Sequence, residues 1–255
     1  MNVLQITFSP TGGTDKVAEI ITKAWGTPVN KVDLSNAETD YSSLSLGKED
    51  IAIIAIPSYG GRVPSLAAQR ISNIHGNQTP CVIVCVYGNR AYEDTLIELN
   101  DIAEKSGFQV IAAIAAIAEH SIMHQYAAGR PDRKDKSELI SFANKILDKI
   151  TSNSTEFAAP QIPGNRPYKK AGKAGLVPKA NNNCTSCGLC AKQCPAKAIN
   201  TEDFKTADGK KCISCMRCVV KCPQSARKVN GTLVSVAALA IKKACSIRKG
   251  NELYI

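Results

Sequence analysis

The sequence predicts an α/β chain in which a doubly wound, five-stranded parallel sheet precedes a small α+β module organised by cysteine. Two observations carry this expectation. Across residues 1–152, short apolar runs alternate with stretches whose apolar residues recur at helical spacing. Further on, eight of the eleven cysteines fall into two runs that each end in proline. The expected boundaries are a sheet domain at 1–152, a basic Pro/Gly-containing linker at 153–179, the cysteine module at 180–231, and an amphipathic helix with a tail at 232–255.

The elements follow in order. Val3–Phe8 reads as the first strand, with Val17, Ile20, Ile21 and Ala24 marking the helix after it. Val29–Leu34 is a second, more polar strand. Ile51–Ile56 is continuously apolar, as in a sheet covered on both faces. Leu66, Arg70, Ile71 and Ile74 indicate a short helix, and Cys81–Tyr87 a fourth strand. Leu96, Leu99, Ile102 and Ala103 mark another helix, Phe108–Ile117 the fifth strand, and 134–150 a last helix with Leu139, Ala143, Ile146 and Ile150 on one stripe. Trp25, Cys81 and Cys85 read as buried structural residues.

Three loops at the carboxyl ends of these strands are where an open α/β sheet places its ligands. The first, Phe8-Ser9-Pro10-Thr11-Gly12-Gly13-Thr14, runs directly into a helix. Its small residues let backbone N–H groups close around a phosphate, and the hydroxyls of Ser9, Thr11 and Thr14 can donate to it. No lysine follows as in a Walker A loop, and G-x-G-x-x-G is missing. The second loop holds Pro57, Ser58, Tyr59, Gly60 and Gly61; the third holds Tyr87, Gly88, Asn89, Arg90 and Tyr92.

The first loop resembles the flavodoxin phosphate loop, [TS]-x-T-G-x-T, with serine in the first position. That resemblance covers residues 1–150 and implies bound FMN, with the isoalloxazine held between the second and third loops. Tyr92 then matches the ring-stacking tyrosine, Tyr59 faces the other side, and Gly60-Gly61 can turn a carbonyl toward flavin N5. The second loop lacks the tryptophan common in simple flavodoxins.

Cys184-Thr-Ser-Cys187-Gly-Leu-Cys190-Ala-Lys-Gln-Cys194-Pro195 and Cys212-Ile-Ser-Cys215-Met-Arg-Cys218-Val-Val-Lys-Cys222-Pro223 both read C-x₂-C-x₂-C-x₃-C-P. This spacing resembles that of bacterial ferredoxins carrying two [4Fe–4S] clusters, in which the cysteine before proline serves the other cluster. The resemblance implies cluster I on Cys184, Cys187, Cys190 and Cys222, and cluster II on Cys212, Cys215, Cys218 and Cys194. Gly188 is expected to let the backbone approach sulfur closely. Two zinc sites are the competing reading, but zinc gives no reason for the paired C-P endings. Together the two regions resemble the flavodoxin–ferredoxin fusion proteins of anaerobic bacteria and archaea.

Charge is uneven. Residues 1–152 carry 14 Lys and Arg against 17 Asp and Glu, whereas 153–255 carry 18 against 5. Opposite signs favour docking of one half on the other, or on an acidic partner. Nucleic acid is disfavoured, because no aromatic-rich platform accompanies the basic half. No run approaches the roughly 20 apolar residues of a membrane span, and the amino terminus does not read as a signal peptide, so the expected location is cytoplasmic. The 153–179 segment reads as a solvated connector. Leu233, Val236, Ala237, Ala240, Ile241, Ala244 and Ile247 are expected to pack the tail helix on one of the domains, with Cys245 in helix packing. Membrane-surface binding is the weaker alternative.

The expected function is electron transfer between FMN and two [4Fe–4S] clusters, linking redox partner proteins in anaerobic-type metabolism. An iron–sulfur flavoenzyme that reduces a quinone or nitro compound is the alternative, with His120 as a proton relay. The preferred reading of His120 is structural, within a capping segment in which Ser121 starts a short helix through Tyr126. A homodimer is left open.

Overall fold

The computed structural model describes residues 2–152, 157–172 and 174–255. Its first part runs β1 (Asn2–Thr7), α1 (Gly13–Ala24), β2 (Val29–Asp33), β3 (Asp50–Pro57), α2 (Ser65–Ile71), β4 (Pro80–Tyr87), α3 (Thr95–Lys105), β5 (Gln109–Ile117) and α4 (Arg133–Thr151). Then follow β6 (Lys179–Ala180), α5 (Leu189–Lys192), α6 (Arg217–Val220), β7 (Arg227–Lys228), α7 (Gly231–Cys245) and β8 (Glu252–Tyr254).

The first five strands are parallel in the order β2-β1-β3-β4-β5, which is flavodoxin-like doubly wound topology. Ile6 pairs with Ile54, and Ile54 with Ile83, so one face of the sheet carries an isoleucine row. Ile71, Leu96 and Leu99 from α2 and α3 cover that face. Val3, Ile53 and Val84 point to the other face, beneath Val17 and Ile21 of α1 and Leu139 and Ile146 of α4. Trp25 closes that layer, its indole N–H donating to the Ala143 carbonyl at 3.0 Å. Cys81 and Cys85 lie buried within β4, where burial pushes both thiols up.

Four sequence expectations are corrected. The sheet has a sixth strand, because β8 pairs antiparallel with β5 through Ala115 and Glu252. Three residues at the chain end are too few to show alternation. Second, Ser121–Tyr126 forms bends and turns instead of a helix. His120 supplies the polar cap there, its Nδ1 accepting from the amides of Ile122 and Met123, both at 3.2 Å.

Third, the described part of the linker is a strap bound along α3. Asp94 accepts from the Asn165 and Lys169 amides at 2.9 and 2.7 Å, Asp101 pairs with Arg166 and Tyr168, and Ile162 packs on the core. The part of that linker at 153–156 and Lys173 lies outside the described residues. Fourth, α7 buries none of the expected stripe: Ala237 and Ile241 are partly buried, and Leu233, Val236, Ala240, Ala244 and Ile247 are exposed. The residues it does bury, Ala238 and Cys245, lie outside that stripe. Its attachment is polar: the Tyr126 hydroxyl donates to the Ala238 carbonyl at 2.6 Å, and Asn89 holds the carbonyls of Cys245 and Ile247.

Candidate functional site

The three predicted loops meet at the carboxyl edge of the parallel strands. In the first, Gly12 adopts φ 93° at the start of α1 and, having no side chain, caps none of its amides. The amino end of a twelve-residue helix entered through glycine is a ready phosphate site. Ser9 is buried; its hydroxyl accepts from the Asp15 amide at 2.9 Å, and its amide donates to the Ser35 hydroxyl at 3.2 Å. Ser9 therefore shapes the loop from beneath. Thr14 is buried, whereas Thr11 is partly exposed and Gly12 exposed. Burial raises the Asp15 carboxyl, partly countered by its hydrogen bond from Thr7.

The second loop is a tight turn closed by reciprocal bonds between Tyr59 and Arg62, at 3.0 and 3.3 Å. Gly60 and Gly61 occupy its centre at φ 63° and 84°. Positive φ at both central positions is a type I′ turn, a strained conformation for other residues. A Cβ at Gly61 would also collide with the Glu93 carboxylate. Arg62 anchors the turn, donating twice to Glu98 at 2.7 Å, with its guanidinium 5.0 Å from the Tyr168 ring centre. Ser58 shares a 2.7 Å hydrogen bond with Thr95, and Pro57 ends β3.

The third loop is fastened by the chain's own carboxyl end. Asn89 is buried at φ 67°; its amide donates to the carbonyls of Cys245 and Ile247, and its oxygen accepts from the Lys249 amide. The Lys249 ammonium reaches the carbonyls of Asn89 and Arg90. Arg90 pairs with Glu93. Tyr92 meets Tyr87 edge-on at 5.2 Å, and its hydroxyl bonds Glu252 and Tyr254 at 2.6 and 2.8 Å. The His120 ring packs on Gly88, where an added Cβ would lie 2.7 Å from the His120 side chain. Burial, with His124 and Arg90 nearby, holds His120 below its ordinary pKa. Two amides on Nδ1 leave the proton of the neutral ring on Nε2.

The two cysteine runs fold as near repeats. Ser186 and Ser214, then Gly188 and Met216, take left-handed φ, and each pair leads into a one-turn helix, α5 or α6. Met216 shows that the conformation does not demand glycine. At Gly188 an added Cβ would instead press on the Phe204 ring at 3.3 Å. Backbone amides of Ala198 and Ala226 donate to the sulfurs of Cys194 and Cys222, each at 3.3 Å. Such N–H···S bonds favour thiolate over thiol.

Two cavities sort the eight cysteines. One is lined by Cys194, Cys212, Cys215 and Cys218, with Ile213 and Met216. The other is lined by Cys184, Cys187, Cys190 and Cys222, with Phe204 and Arg227. Among the described residues, no three His, Cys, Asp or Glu side chains converge on a single bare ion. Four thiols spaced around a cavity suit a polynuclear cluster, which brings its own bridging sulfides. Burial pushes Cys215 up to about 12 and Cys218 up to about 11, so deprotonation there needs a cationic ligand such as iron.

Sequence reasoning missed Arg227. It is 2% exposed and lines the cavity of Cys184, Cys187, Cys190 and Cys222. Its Nη1 lies 3.8 Å from Cys190 Sγ, and its charge acts on the Cys218 thiol as well. The Phe204 and Pro178 carbonyls accept from it at 2.6 and 2.8 Å, while Nε has no partner among the described residues. An orphaned buried donor beside the cysteines fits a sulfide-bearing group. Only its basic character was visible in the sequence.

The module docks by its Cys212 side. Arg70 donates to the Pro195 carbonyl at 2.7 Å, Arg217 pairs with Asp33 at 3.2 Å, and Lys197 pairs with Glu38 at 2.9 Å. Ile213 packs on the sheet-domain core. Burial raises the Tyr59 phenol, and Cys215 adds to the shift from across the interface. Cys187, in the other cavity, is exposed.

Residues 182–227 match the family described as the 4Fe-4S dicluster domain. No curated protein matches the chain. Among solved structures, a Streptococcus pneumoniae flavodoxin is 20% identical, with a TM-score of 0.42 over 58% of this chain and 99% of its own. Two-electron reduced Megasphaera elsdenii flavodoxin is 20% identical, with a TM-score of 0.40 over 56% and 98%. An archaeal flavodoxin is 14% identical, with a TM-score of 0.43 over 59% and 99%. The chain thus joins a parallel sheet of flavodoxin-like strand order to a segment that matches the 4Fe-4S dicluster domain.

Proposed function

We propose that this protein is an electron carrier that moves single electrons between FMN at the three loops and two [4Fe–4S] clusters in the cysteine cavities. The observation that carries this reading is the sorting of eight cysteines into two four-cysteine cavities, one docked against the loop that holds Tyr59. Bound FMN exchanges one or two electrons and each cluster exchanges one, so the pair converts between two-electron and one-electron traffic.

The residues divide the work. The amino end of α1, with Thr11, Gly12, Gly13 and Thr14, receives the phosphate. The turn at Tyr59–Arg62 and the loop from Gly88 to Tyr92 border the ring. Cys194, Cys212, Cys215 and Cys218 hold the cluster nearer the sheet domain; Cys184, Cys187, Cys190 and Cys222 hold the outer one. Exposed Cys187 makes the outer cluster the contact for a redox partner protein. With both clusters held, the two cysteine sets would offer an electron a path between a partner at Cys187 and the three loops.

The carrier reading is favoured over reduction of a small acceptor because Asn89, Tyr92 and Lys249 bind the third loop to the chain's own tail. Anaerobically purified protein is expected to hold about eight irons and one FMN per chain. Stopped-flow mixing with a reduced ferredoxin-type donor should bleach the flavin without turnover of quinones or nitro compounds. Colourless or zinc-only protein would remove the reading, and sustained acceptor turnover would replace it with the reductase.

A further inference from the structure

We infer that Arg227 is a counter-cation shared by both clusters, placed so that one fixed positive charge sets the reduction potential of each. The inference rests on the two-cluster reading and concerns a residue outside the cysteine motif.

Arg227 follows the second C-P pair on β7, where its backbone pairs with Ala180 of β6. This short ladder carries the side chain inward. The guanidinium hydrogen-bonds Cys190 of one cavity at 3.8 Å and bears electrostatically on Cys218 and Cys212 of the other.

The electrostatics are unusual for the residue. A buried arginine is ordinarily paired with a carboxylate, because an unpaired buried charge is strongly unfavourable. Arg130 obeys the rule with Asp135. Arg227 does not: none of the ion pairs among the described residues includes it. Two carbonyls accept from it, and Nε is left over. Neutral carbonyls do not balance a cation, and Asp203, an exposed carboxylate that feels its charge, forms no ion pair with it. A four-thiolate oxidised cluster carries about −2, so the missing negative charge is the one the cysteine cavities are built to hold. Arg227 and the clusters thus complete each other.

Redox consequences follow from the sign. Reduction adds one electron to a cluster and makes it more negative, with no bond made or broken at Arg227. A guanidinium cannot lose its proton in this range, so its charge is constant through the cycle. It stabilises the reduced form of both clusters more than the oxidised form, raising both potentials. It also screens the two clusters from each other, which lessens the penalty of holding an electron on each.

The test uses full-length holoprotein reconstituted anaerobically, with Arg227→Gln and Arg227→Lys beside the wild type. Iron and sulfide are counted, and both clusters are titrated with dithionite while their EPR signals are followed. In the glutamine variant both clusters should become harder to reduce, the reduced-to-oxidised ratio at a fixed potential falling roughly tenfold, which is about 59 mV for one electron. Lysine keeps the charge and should stay within about threefold of wild type. Two clusters whose potentials do not move in the glutamine variant, or only one that moves, would overturn the inference. If the glutamine variant does not take up iron, the lysine variant decides: loaded with near-native potentials it supports the shared charge, and loaded with a tenfold loss, or unloaded, it sinks it. Wild-type protein without iron would instead remove the cluster reading itself.

Discussion

The sheet domain and the cysteine module are stabilised in opposite ways. Ile6, Ile53, Ile54, Ile83 and Ile114 are fully buried in the first, and α1 to α4 cover both faces. Apolar burial at about 25 cal/mol per Å² is enough to hold such a layer. Within the module the buried apolar side chains are few and small, among them Ala198, Ile199, Met216 and Ala226, and its largest fully buried side chain is the cation Arg227. A core built that way is stable only when inorganic ligands replace the missing hydrophobic contacts. One half is therefore specified by its own chain, and the other by chain and metal together.

The largest break in that comparison comes from iron removal. Chelation is expected to strip hydrogen-exchange protection from α5, α6 and the β6–β7 ladder while β1, β3, β4 and β5 stay protected. Serine at Cys212 should have the same effect on the module, since it deprives one cavity of a ligand. Equal loss of protection in both halves would mean that the sheet domain depends on the metal too.

Next in size are two interior changes within the sheet domain. Arg130 and Asp135 form a nearly solvent-free pair at the start of α4, to which Arg248 and Asn251 of the tail also bind. The Asp135 carboxyl is desolvated, yet the bonds from Arg130 and the Asp132 amide hold it below its ordinary value. Removing Arg130 leaves the buried carboxylate only the longer cationic contact with Arg248, so Arg130→Met is expected to cost up to about 3–5 kcal/mol in denaturant unfolding. Ile53→Ala should cost about 2–5 kcal/mol by leaving a cavity beneath α1 and α4. Both should leave iron content unchanged. Loss of iron in either variant would show that the halves unfold as one unit.

These contrasts explain what the sequence reveals. The parallel strands are legible because a buried strand such as Cys81–Tyr87 must be apolar throughout, and periodicity records burial directly. The cysteine spacing is legible because thiols around a cube need fixed short turns. Contacts formed over long sequence distances leave no period. Asn165 meets Asp94, Arg166 meets Asp101, and Asn89 meets Ile247 only after folding. The same limit hid β8, whose pairing with β5 is a property of the sheet edge. The stripe on α7 was visible as periodicity, but periodicity says that a face is apolar, not that something covers it; Val236 remains 61% exposed. Arg227 was hidden most completely, since an arginine in a basic region gives no sign of being buried.

A smaller effect concerns the strap that joins the halves. The bond from Arg166, with that from Tyr168, holds the Asp101 carboxyl down to about 2, against an ordinary 3.8. A depressed carboxylate contributes its stability above the ordinary value and loses it as the solution is acidified through the folded one. Strap attachment should therefore be intact above pH 4 and lost progressively toward pH 2. An NMR titration of the Asp101 carboxyl alongside limited proteolysis at 162–169 would follow it. In Asp101→Asn the acid-dependent rise in cleavage should shrink, the remainder coming from Asp94, whose carboxyl the Lys169 and Asn165 amides also hold low. Persistence of the same acid-dependent cleavage would place the sensitive group elsewhere.

The least destabilising change is the most informative about docking. Asp33 is half exposed, and its pair with Arg217 spans the interface at 3.2 Å. Surface pairs of this kind contribute about 0.2–1 kcal/mol, so Asp33→Asn should barely alter unfolding. Asparagine retains the oxygen that accepts from the Ser35 amide at 2.7 Å, and the loop beneath the phosphate site should hold its shape. What changes is the docking of α6, which carries Cys218. Electron exchange between flavin and the inner cluster should slow by less than tenfold, and its dependence on ionic strength should weaken because one charge of the interface has gone. Flash-induced reduction at two salt concentrations reads both quantities. An unchanged rate with unchanged salt dependence would mean that Arg70 and Ile213 alone set the approach of the two halves.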